Sequence, residues 1–444
     1  MIASIIHRQP KAPNVTATNT MTLPRGTERR GHYRGYLLMA FIAIGAYFVG
    51  LKTDITTILQ TKDEASHGLE VKRTRGIDIS DETSELHRPV AKILNNPKVP
   101  TWVKNYVEWH RQQRQKYFDD MRAHNTSDVR FLISRCFKND NCGGLSDRLQ
   151  DMPYNLMLAN QTKRVLLVRW ERPTKLEHFL VPQPDGINWT VPDDMFPEDT
   201  DWDWSLVEYY CDIDKEAHGD EKILSTIRDF QASIFREYEE NIVGHRIYHE
   251  IFRLLFSPSD SLSSRIQSTM KSLNLMPNQY SSVHLRMQYP VDVIKNDGGF
   301  SFERQKSLIT GWATNAVNCA ANLHPNAAKY YVSSDSSQTI KYLLEESRFV
   351  QNYTDATKHQ EHQSAVKLVA RDYSIENPHI NFAKNLEPDE FMSVFEDLFI
   401  MGLGKCVAHG IGGYGRLAAA LSGGECVMRH RGDGGNMNVC TQPT

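Results

Sequence analysis

The sequence predicts an α/β fold with two parallel sheets, preceded by a membrane-spanning helix and a polar stem. After residue 128, short apolar strand-like segments alternate with helical segments, and glycine turns join several strands to the following helix. In such chains each helix returns the backbone to a neighbouring parallel strand. The length of 444 residues is sufficient for two domains of ordinary size.

The N-terminal region has the charge pattern of a signal anchor. Residues 1–34 carry six Arg and Lys side chains against the single Glu28, and residues 35–51 carry no charge. At about 1.5 Å per residue, the uncharged segment spans roughly 25 Å, which Arg34 and Lys52 extend by snorkelling. Because the segment has no polar face and starts far from the terminus, a core helix and a cleaved signal peptide are both disfavoured. We therefore predict a cytoplasmic tail (1–34), a transmembrane signal anchor (35–51) and a lumenal remainder.

The region that follows agrees with a lumenal location. Residues 52–127 form a predicted stem, which is polar at first and ends in an amphipathic helix from Pro100 to about Ala123. Asn-x-Ser/Thr acceptors for N-glycosylation occur at Asn125, Asn160, Asn188 and Asn352. The cysteines are Cys136, Cys142, Cys211, Cys319, Cys406, Cys426 and Cys440, without paired Cys-x-x-Cys zinc spacing. Disulfides are predicted, with Cys406 as an unpaired, buried small side chain.

The first predicted domain covers residues 128–274. A strand from Val129 leads through the glycine turn at Cys142–Arg148 into a helix and then a second strand. Ser146 is predicted to cap that helix, and Asp147 to complement its positive N-terminus. Further helices are predicted at 222–239, 244–256 and 262–273.

The second predicted domain covers residues 275–444 and repeats the alternation. Strands are predicted at 280–287, 328–334, 365–370, 405–409 and 425–430, and helices at 302–322, 338–347, 387–402 and from Leu417. Since ligands of parallel sheets bind at the carboxyl ends of the strands, polar residues at these ends are the first candidates for function.

Two strand ends carry such residues. His284 and Arg286 alternate along one strand and project to the same face. Arginine suits a diphosphate because its planar guanidinium donates two charge-assisted hydrogen bonds, although an ion pair at a domain interface explains it equally well. Ser334 and Asp335 end the next strand, where Asp335 can accept from ribose hydroxyls and Ser334 can instead cap a helix.

A glycine-rich loop follows a later buried strand. Gly410, Gly412, Gly413 and Tyr414 lie between that strand and a helix, where free amides and the helix dipole favour an anion. The loop lacks the Lys-Ser/Thr of a P-loop and the context of a dinucleotide fingerprint.

Composition and carboxylate spacing limit the possible partners. Lys plus Arg total 51 and Asp plus Glu 54, so there is no broad positive field for nucleic acid. Asp201-Trp202-Asp203 and Asp212-Ile213-Asp214 have the spacing of some metal-binding transferases, but neither follows a long buried strand. We predict that they are surface charges and that no metal is essential.

Four motifs together resemble the superfamily of α-1,2, α-1,6 and protein O-fucosyltransferases. They are the glycine turn at Cys142–Arg148, the His-Leu-Arg strand, the Ser-Ser-Asp strand end, and the helix-strand unit from Asp397 to Gly410. The resemblance covers about residues 128–430 and implies a GT-B fold of two facing Rossmann-like domains. The first would be the acceptor-side domain, and the second would bind GDP-fucose without a metal.

The resemblance also assigns roles to the candidate residues. It implies that Arg286 holds the donor diphosphate, that His284 and Asp335 lie near the nucleoside, and that the loop at Gly410–Tyr414 lines the phosphate. The remaining donor-side candidates are Ser334, Gly143 and Gly144. The family's loop commonly has serines where this chain has Gly410, Gly412 and Gly413, and Met287 replaces a second Arg or a Gly.

These implications lead to an expected activity. We expect a Golgi type II enzyme that transfers fucose with inversion from GDP-fucose to a hydroxyl of a glycan or glycoprotein. Asp147 and Asp292 are candidate bases for the acceptor proton, and Arg286 is the principal catalytic candidate. The alternatives are transfer of another nucleotide sugar and a non-catalytic lumenal glycan-binding protein on the same scaffold.

Overall fold

The computed structural model describes the body of the chain after its N-terminal region. The described residues are 86–138, 140–192, 195, 205–206, 219, 221–227, 246–288, 302–347, 349, 366–375, 377–378, 380, 387–431 and 440. All of them belong to the compact unit Gly76–Thr444, and the other unit is Met1–Arg75. The predicted tail, signal anchor and residues 52–85 of the stem lie outside the described residues. No helix within the described ranges is long and apolar enough to cross a membrane.

Strands and helices alternate along most of this unit. The strands are β1 (Phe131–Cys136), β2 (Val165–Trp170), β3 (Leu180–Pro182), β4 (Ser205–Leu206), β5 (Ile223–Thr226), β6 (Phe256–Pro258), β7 (Ser281–Leu285), β8 (Tyr330–Ser334), β9 (Leu368–Val369), β10 (Cys406–His409) and β11 (Val427–Arg429). The helices are α1 (Val90–Leu94), α2 (Thr101–Arg122), α3 (Leu145–Leu149), α4 (Met152–Gln161), α5 (Tyr248–Leu255), α6 (Asp260–Ser272), α7 (Phe302–Leu323), α8 (Ser337–Lys341), α9 (Pro388–Leu403) and α10 (Gly413–Leu421). A 3₁₀ turn spans Leu176–His178, and a π-helical turn, Tyr342–Glu346, continues α8.

The strands form two parallel sheets, as the alternation predicts. The first sheet has the order β2-β1-β5-β4, and the second has the order β11-β10-β7-β8-β9. The short strands β3 and β6 pair antiparallel. Strands β1, β2, β7, β8 and β10 are buried along nearly their whole length, which explains why they read as continuous apolar segments. The proposed boundary near residue 275 stays a prediction.

The order of the second sheet defines a switch point. Strands β7, β8 and β9 run outward in one direction, and β10 and β11 run outward in the other. The chain therefore reverses its direction of growth between β7 and β10, where His284 pairs with His409. In open parallel sheets, the crevice at the carboxyl ends beside such a reversal is the usual ligand site.

Two predicted helices differ from the structure. The start of the predicted helix 222–239 is instead β5, because Ile223–Thr226 pair with β1 in the first sheet; tertiary pairing here overrides a helix-like pattern of charges. Residues 228–239 of this prediction lie outside the described residues. Helix α10 begins at Gly413 rather than Leu417. Glycine is a poor helix former, but close neighbours require it in this first turn.

Disulfides link Cys136 to Cys142, Cys319 to Cys440, and Cys406 to Cys426. The prediction that Cys406 is unpaired is therefore wrong, although it is buried. The physical reason is register: Val407 lies opposite Val427 in the parallel pair of β10 and β11, so the preceding cysteines also face each other, with Cα atoms 4.6 Å apart. Cys211 lies outside the described residues.

Candidate functional site

A cleft opens between the glycine turn of the first sheet and the carboxyl ends of β7 and β8. Its empty volume is about 760 Å³ when the adjoining solvent is counted. The lining residues are Gly144, Leu145, Ser146, Asp147, His284, Arg286, Gln288, Ser333, Ser334, Asp335, Asn377, Pro378, Ile380, Val394 and Tyr414. Both sheets therefore contribute walls, and the second-sheet wall lies at the switch point.

Arg286 lies against the start of α10. Gly412, the residue before this helix, has φ +87°, and a Cβ atom on it would come within 3.0 Å of the Arg286 guanidinium. The conformation and the close approach both require glycine here. The guanidinium therefore lies beside the positive end of a helix, an arrangement that favours an anion in the cleft.

The other glycines of this loop are also confined by neighbours. A Cβ atom on Gly413 would come within 3.0 Å of Ser146, and one on Gly410 within 3.0 Å of the His430 ring. Gln150 donates to the carbonyl of Gly413 over 2.8 Å. The loop thus joins the two halves of the unit by direct contact, and Tyr414 is its residue that lines the cleft.

The backbone after β7 is held from two sides. Asp335 accepts from the backbone N–H of Met287 at 2.7 Å and from that of Gln288 at 3.2 Å. Arg431 donates to the carbonyl of Arg286 at 3.3 Å. Burial raises the pKa of Asp335, against the opposing effects of the two N–H groups and the Arg286 charge. Asp335 therefore fixes the turn that carries Arg286, in addition to lining the cleft.

His284 lines the cleft as a neutral imidazole. Burial lowers its pKa well below the ordinary histidine value, and the charges of Arg286, His430 and His409 lower it further. Its ring packs against that of Tyr414, with centroids 5.1 Å apart. At neutral pH it adds no charge to the cleft and is a weak proton acceptor.

The first-sheet wall begins at the glycine turn. Gly144 is the N-cap of α3, and the Asp147 carboxylate accepts from its N–H at 2.7 Å. The prediction that Ser146 caps this helix is therefore wrong, because Ser146 lies inside the first turn and faces Gly413. Asp147 lies in the first turn as predicted, where it complements the positive helix end. Gly143 precedes the cap with φ +67°.

The structure brings most of the predicted donor-side residues together. His284, Arg286, Ser334, Asp335, Tyr414, Gly144 and Asp147 all line the cleft. Gly143, Gly410, Gly412 and Gly413 do not line the cleft; Gly143 packs against Asp147 and Gly412 against Arg286, whereas Gly413 packs against Ser146 and Gly410 against His430. Ser334 accepts from the N–H of Ser336, and Ser336 is the cap of α8. Asp292, Asp201-Trp202-Asp203 and Asp212-Ile213-Asp214 lie outside the described residues.

Sequence reasoning missed part of the cleft wall. Asn377, Pro378 and Ile380 follow the two-residue strand β9, which is too short to give a periodic signal. Asn377 is hydrogen-bonded to the Asp397 carboxylate at 2.5 Å. The adjacent carboxylates Glu396 and Asp397, within an apolar stretch of helix α9, were the available signal, since a buried charge requires partners.

Among the described residues, no group of three or more His, Cys, Asp or Glu side chains is placed to hold a metal ion. The cleft itself carries one guanidinium, from Arg286, and two carboxylates, from Asp147 and Asp335, within the described part of the chain.

No protein-family model matches the chain, and no curated protein matches it. Solved fucosyltransferase structures are similar to it. A mutant of Arabidopsis thaliana FUT1 in complex with GDP is 13% identical with a TM-score of 0.47, over 76% of this chain and 80% of that one. NodZ α-1,6-fucosyltransferase soaked with GDP-fucose is 15% identical with a TM-score of 0.38, over 66% of this chain and 93% of that one. Because both TM-scores are below 0.5, neither similarity establishes the fold or the activity of this chain.

Proposed function

We propose that the chain is a glycosyltransferase that binds a nucleoside diphosphate sugar in this cleft. The observation that carries the proposal is the position of Arg286, which follows β7 at the switch point of a parallel sheet and lies beside the start of α10. A guanidinium and a helix N-terminus together can neutralise a leaving diphosphate. Ser334 and Asp335, at the end of the adjacent strand, extend the cleft on the nucleoside side.

Transfer requires a bond from the acceptor oxygen to the sugar C1 and cleavage of the bond between C1 and the diphosphate. The diphosphate leaves with the electron pair, and the acceptor proton passes to a base. Asp147 and Asp335 are the described carboxylates that line the cleft. Because both oxygens of Asp335 accept from backbone N–H groups, and Asp147 lies on the opposite wall, we propose Asp147 as the base. A single displacement of this kind, with the acceptor on the side opposite to the leaving diphosphate, inverts the configuration at C1, and inversion is the outcome that we propose.

Fucose is the donor sugar we propose, and GDP the carrier. The support is the combination of the four motifs, three of which meet at the cleft as the glycine turn, the His-Leu-Arg strand and the Ser-Ser-Asp strand end. Another nucleotide sugar on the same fold is the alternative. A non-catalytic glycan-binding protein is disfavoured by a cleft that retains Arg286 and Asp147.

A donor panel tests this proposal. The full chain, purified in detergent, is incubated with GDP-fucose, GDP-mannose or UDP-galactose, with and without EDTA, and transfer of the sugar to water is measured as release of the free nucleotide. We expect release from GDP-fucose at a rate that EDTA leaves unchanged, because Arg286 and the start of α10 supply the positive charge that a metal would otherwise provide.

Each arm of the panel separates two interpretations. Turnover of a different donor would replace GDP-fucose and leave the glycosyltransferase assignment in place. Loss of turnover in EDTA, with recovery in manganese, would show that a metal is essential, and Asp201-Trp202-Asp203 or Asp212-Ile213-Asp214 would then become the candidate metal site. Binding of GDP without turnover of any donor would identify the non-catalytic alternative.

We further propose that the enzyme is a Golgi type II membrane protein with its catalytic part in the lumen. The uncharged segment 35–51 and its basic N-terminal flank support this orientation. The described disulfides are typical of an oxidising compartment. Asn125 and Asn188 are exposed, as glycosylation acceptors must be.

Intact vesicles provide the test of orientation. We expect added protease to remove only the short N-terminal tail. After the protease is inactivated and the vesicles are lysed, endoglycosidase should increase the mobility of the protected chain on a gel. Replacing Asn125 and Asn188 with Gln should remove part of that shift. Digestion of most of the chain in intact vesicles would mean that the catalytic part faces the cytoplasm.

A further inference from the structure

A buried carboxylate lies behind the cleft wall and does not line the cleft. Asp397, on α9, is 1% exposed and is not among the residues that line the cleft. A charge at this depth is stable only when it is paired and hydrogen-bonded. Its partners therefore indicate which parts of the fold depend on it.

Asp397 accepts hydrogen bonds from four side chains, two on β8 and two in the segment that follows β9. From β8, Tyr331 donates to Oδ1 and Ser333 donates to Oδ2 at 2.9 Å. Arg371 donates to Oδ1 at 3.1 Å and supplies the opposite charge. Asn377 donates to Oδ2 at 2.5 Å. Two of these donors, Ser333 and Asn377, belong to the cleft wall.

Arg371 extends the network through the segment that follows β9. Its guanidinium donates to the carbonyls of Asp372 and Ile375, both at 2.8 Å, and to Oδ1 of Asn377 at 2.7 Å. Arg371 is 6% exposed. Asp397 raises the pKa of Arg371 against the lowering effect of burial, so this guanidinium stays charged. Residues 371–375, 377 and 378 are thus fastened to α9 through the Arg371–Asp397 ion pair and the Asn377–Asp397 hydrogen bond.

We propose that Asp397 is a positioning residue for the nucleotide pocket, because it joins the end of β8 to the segment that carries Asn377. Asn377 also donates to the carbonyl of Ser334, over a longer distance of 3.4 Å. Without the Asp397 carboxylate, this long hydrogen bond is what remains, among the described contacts, to hold Asn377 to β8, and the wall formed by Asn377 and Pro378 shifts relative to Ser334. The inference rests on the proposed donor site only for its binding readout.

The adjacent residue provides a matched control. Glu396 is also 1% exposed and accepts from Arg265 and Thr269, both at 2.5 Å. Those partners lie on α6, and neither lines the cleft. Glu396→Gln therefore removes a buried carboxylate on the same helix from a network that leads away from the cleft.

The test compares Asp397→Asn with Glu396→Gln in the full chain. GDP affinity is measured by calorimetry, and backbone protection of 371–378 by hydrogen exchange. We expect Asp397→Asn to weaken GDP binding about tenfold, to raise the donor KM by a similar factor with less than a twofold change in kcat, and to accelerate exchange in 371–378. Glu396→Gln should lower the melting temperature without any of these effects.

Asn377→Ala removes the bonded amide while leaving the Arg371–Asp397 pair in place, and accelerated hydrogen exchange in 371–378 is expected for this variant even if Asp397→Asn does not fold. It should weaken GDP binding, and its effect should not add to that of Asp397→Asn. Equal effects of Asp397→Asn and Glu396→Gln on GDP binding would overturn the inference. Additive effects of Asn377→Ala and Asp397→Asn on GDP binding would also overturn it. If the wild-type chain binds no GDP, the proposed function fails, and exchange in 371–378 still decides the positioning role.

Discussion

Replacement of Arg286 with alanine is expected to reduce transfer at least a hundredfold, about 2.7 kcal/mol of transition-state stabilisation. Arg286 is the described guanidinium that lines the cleft, and it lies beside the start of α10. Its loss leaves the diphosphate with the helix N-terminus alone. Initial rates with GDP-fucose measure the effect on transfer, and calorimetry with GDP measures the effect on binding.

Arg416 is the matched control for this change. It is exposed, lies on the first turn of α10 and does not line the cleft, so Arg416→Ala removes the same charge close to the site. We expect less than a threefold effect on the transfer rate. If Arg286→Ala remains folded by circular dichroism and keeps near-normal GDP affinity, Arg286 is an interface residue, as the competing interpretation of the His-Leu-Arg strand holds.

The position of Arg286 was predictable because it depends only on strand identity. His284, Ser334 and Asp335 end parallel strands, and the carboxyl ends of parallel strands meet at one edge of the sheet. The grouping of these residues could therefore be predicted without knowing the order of the strands in the sheet. The same reasoning placed the glycine turn of the first sheet beside a cleft.

What the sequence left undetermined are the interactions that depend on register and on distant partners. The pairing of Cys406 with Cys426 follows from the alignment of β10 with β11, which local pattern does not specify. The bonds of Asp335 to the turn after β7, and of Asp397 to Asn377, join residues far apart in the chain. A strand-end carboxylate looks the same in sequence whether it binds a ribose or a backbone N–H.

The glycines of the loop at Gly410–Tyr414 also have two possible explanations, exposed backbone amides for a phosphate and the absence of a side chain beside Arg286, and substitution of Gly412 distinguishes them. Its glycines were predicted to expose amides to a phosphate, whereas the structure adds a steric requirement at Gly412. Gly412→Ala should weaken GDP binding by at least about thirtyfold, or about 2 kcal/mol, because the new methyl group would occupy space that the Arg286 guanidinium fills. Calorimetry with GDP measures this loss.

Gly424 separates displacement of Arg286 from backbone strain. It has φ +69°, and a Cβ atom on it would meet no atom within 4 Å, so Gly424→Ala carries only the strain of a positive φ, about 1–2 kcal/mol of folding stability. We expect Gly424→Ala to leave GDP affinity unchanged. In an Arg286→Ala background, Gly412→Ala should cost little further GDP affinity, since the group it displaces is already gone. A full additional loss there would mean that Gly412 serves the phosphate through its own backbone amide, and the steric explanation would be rejected.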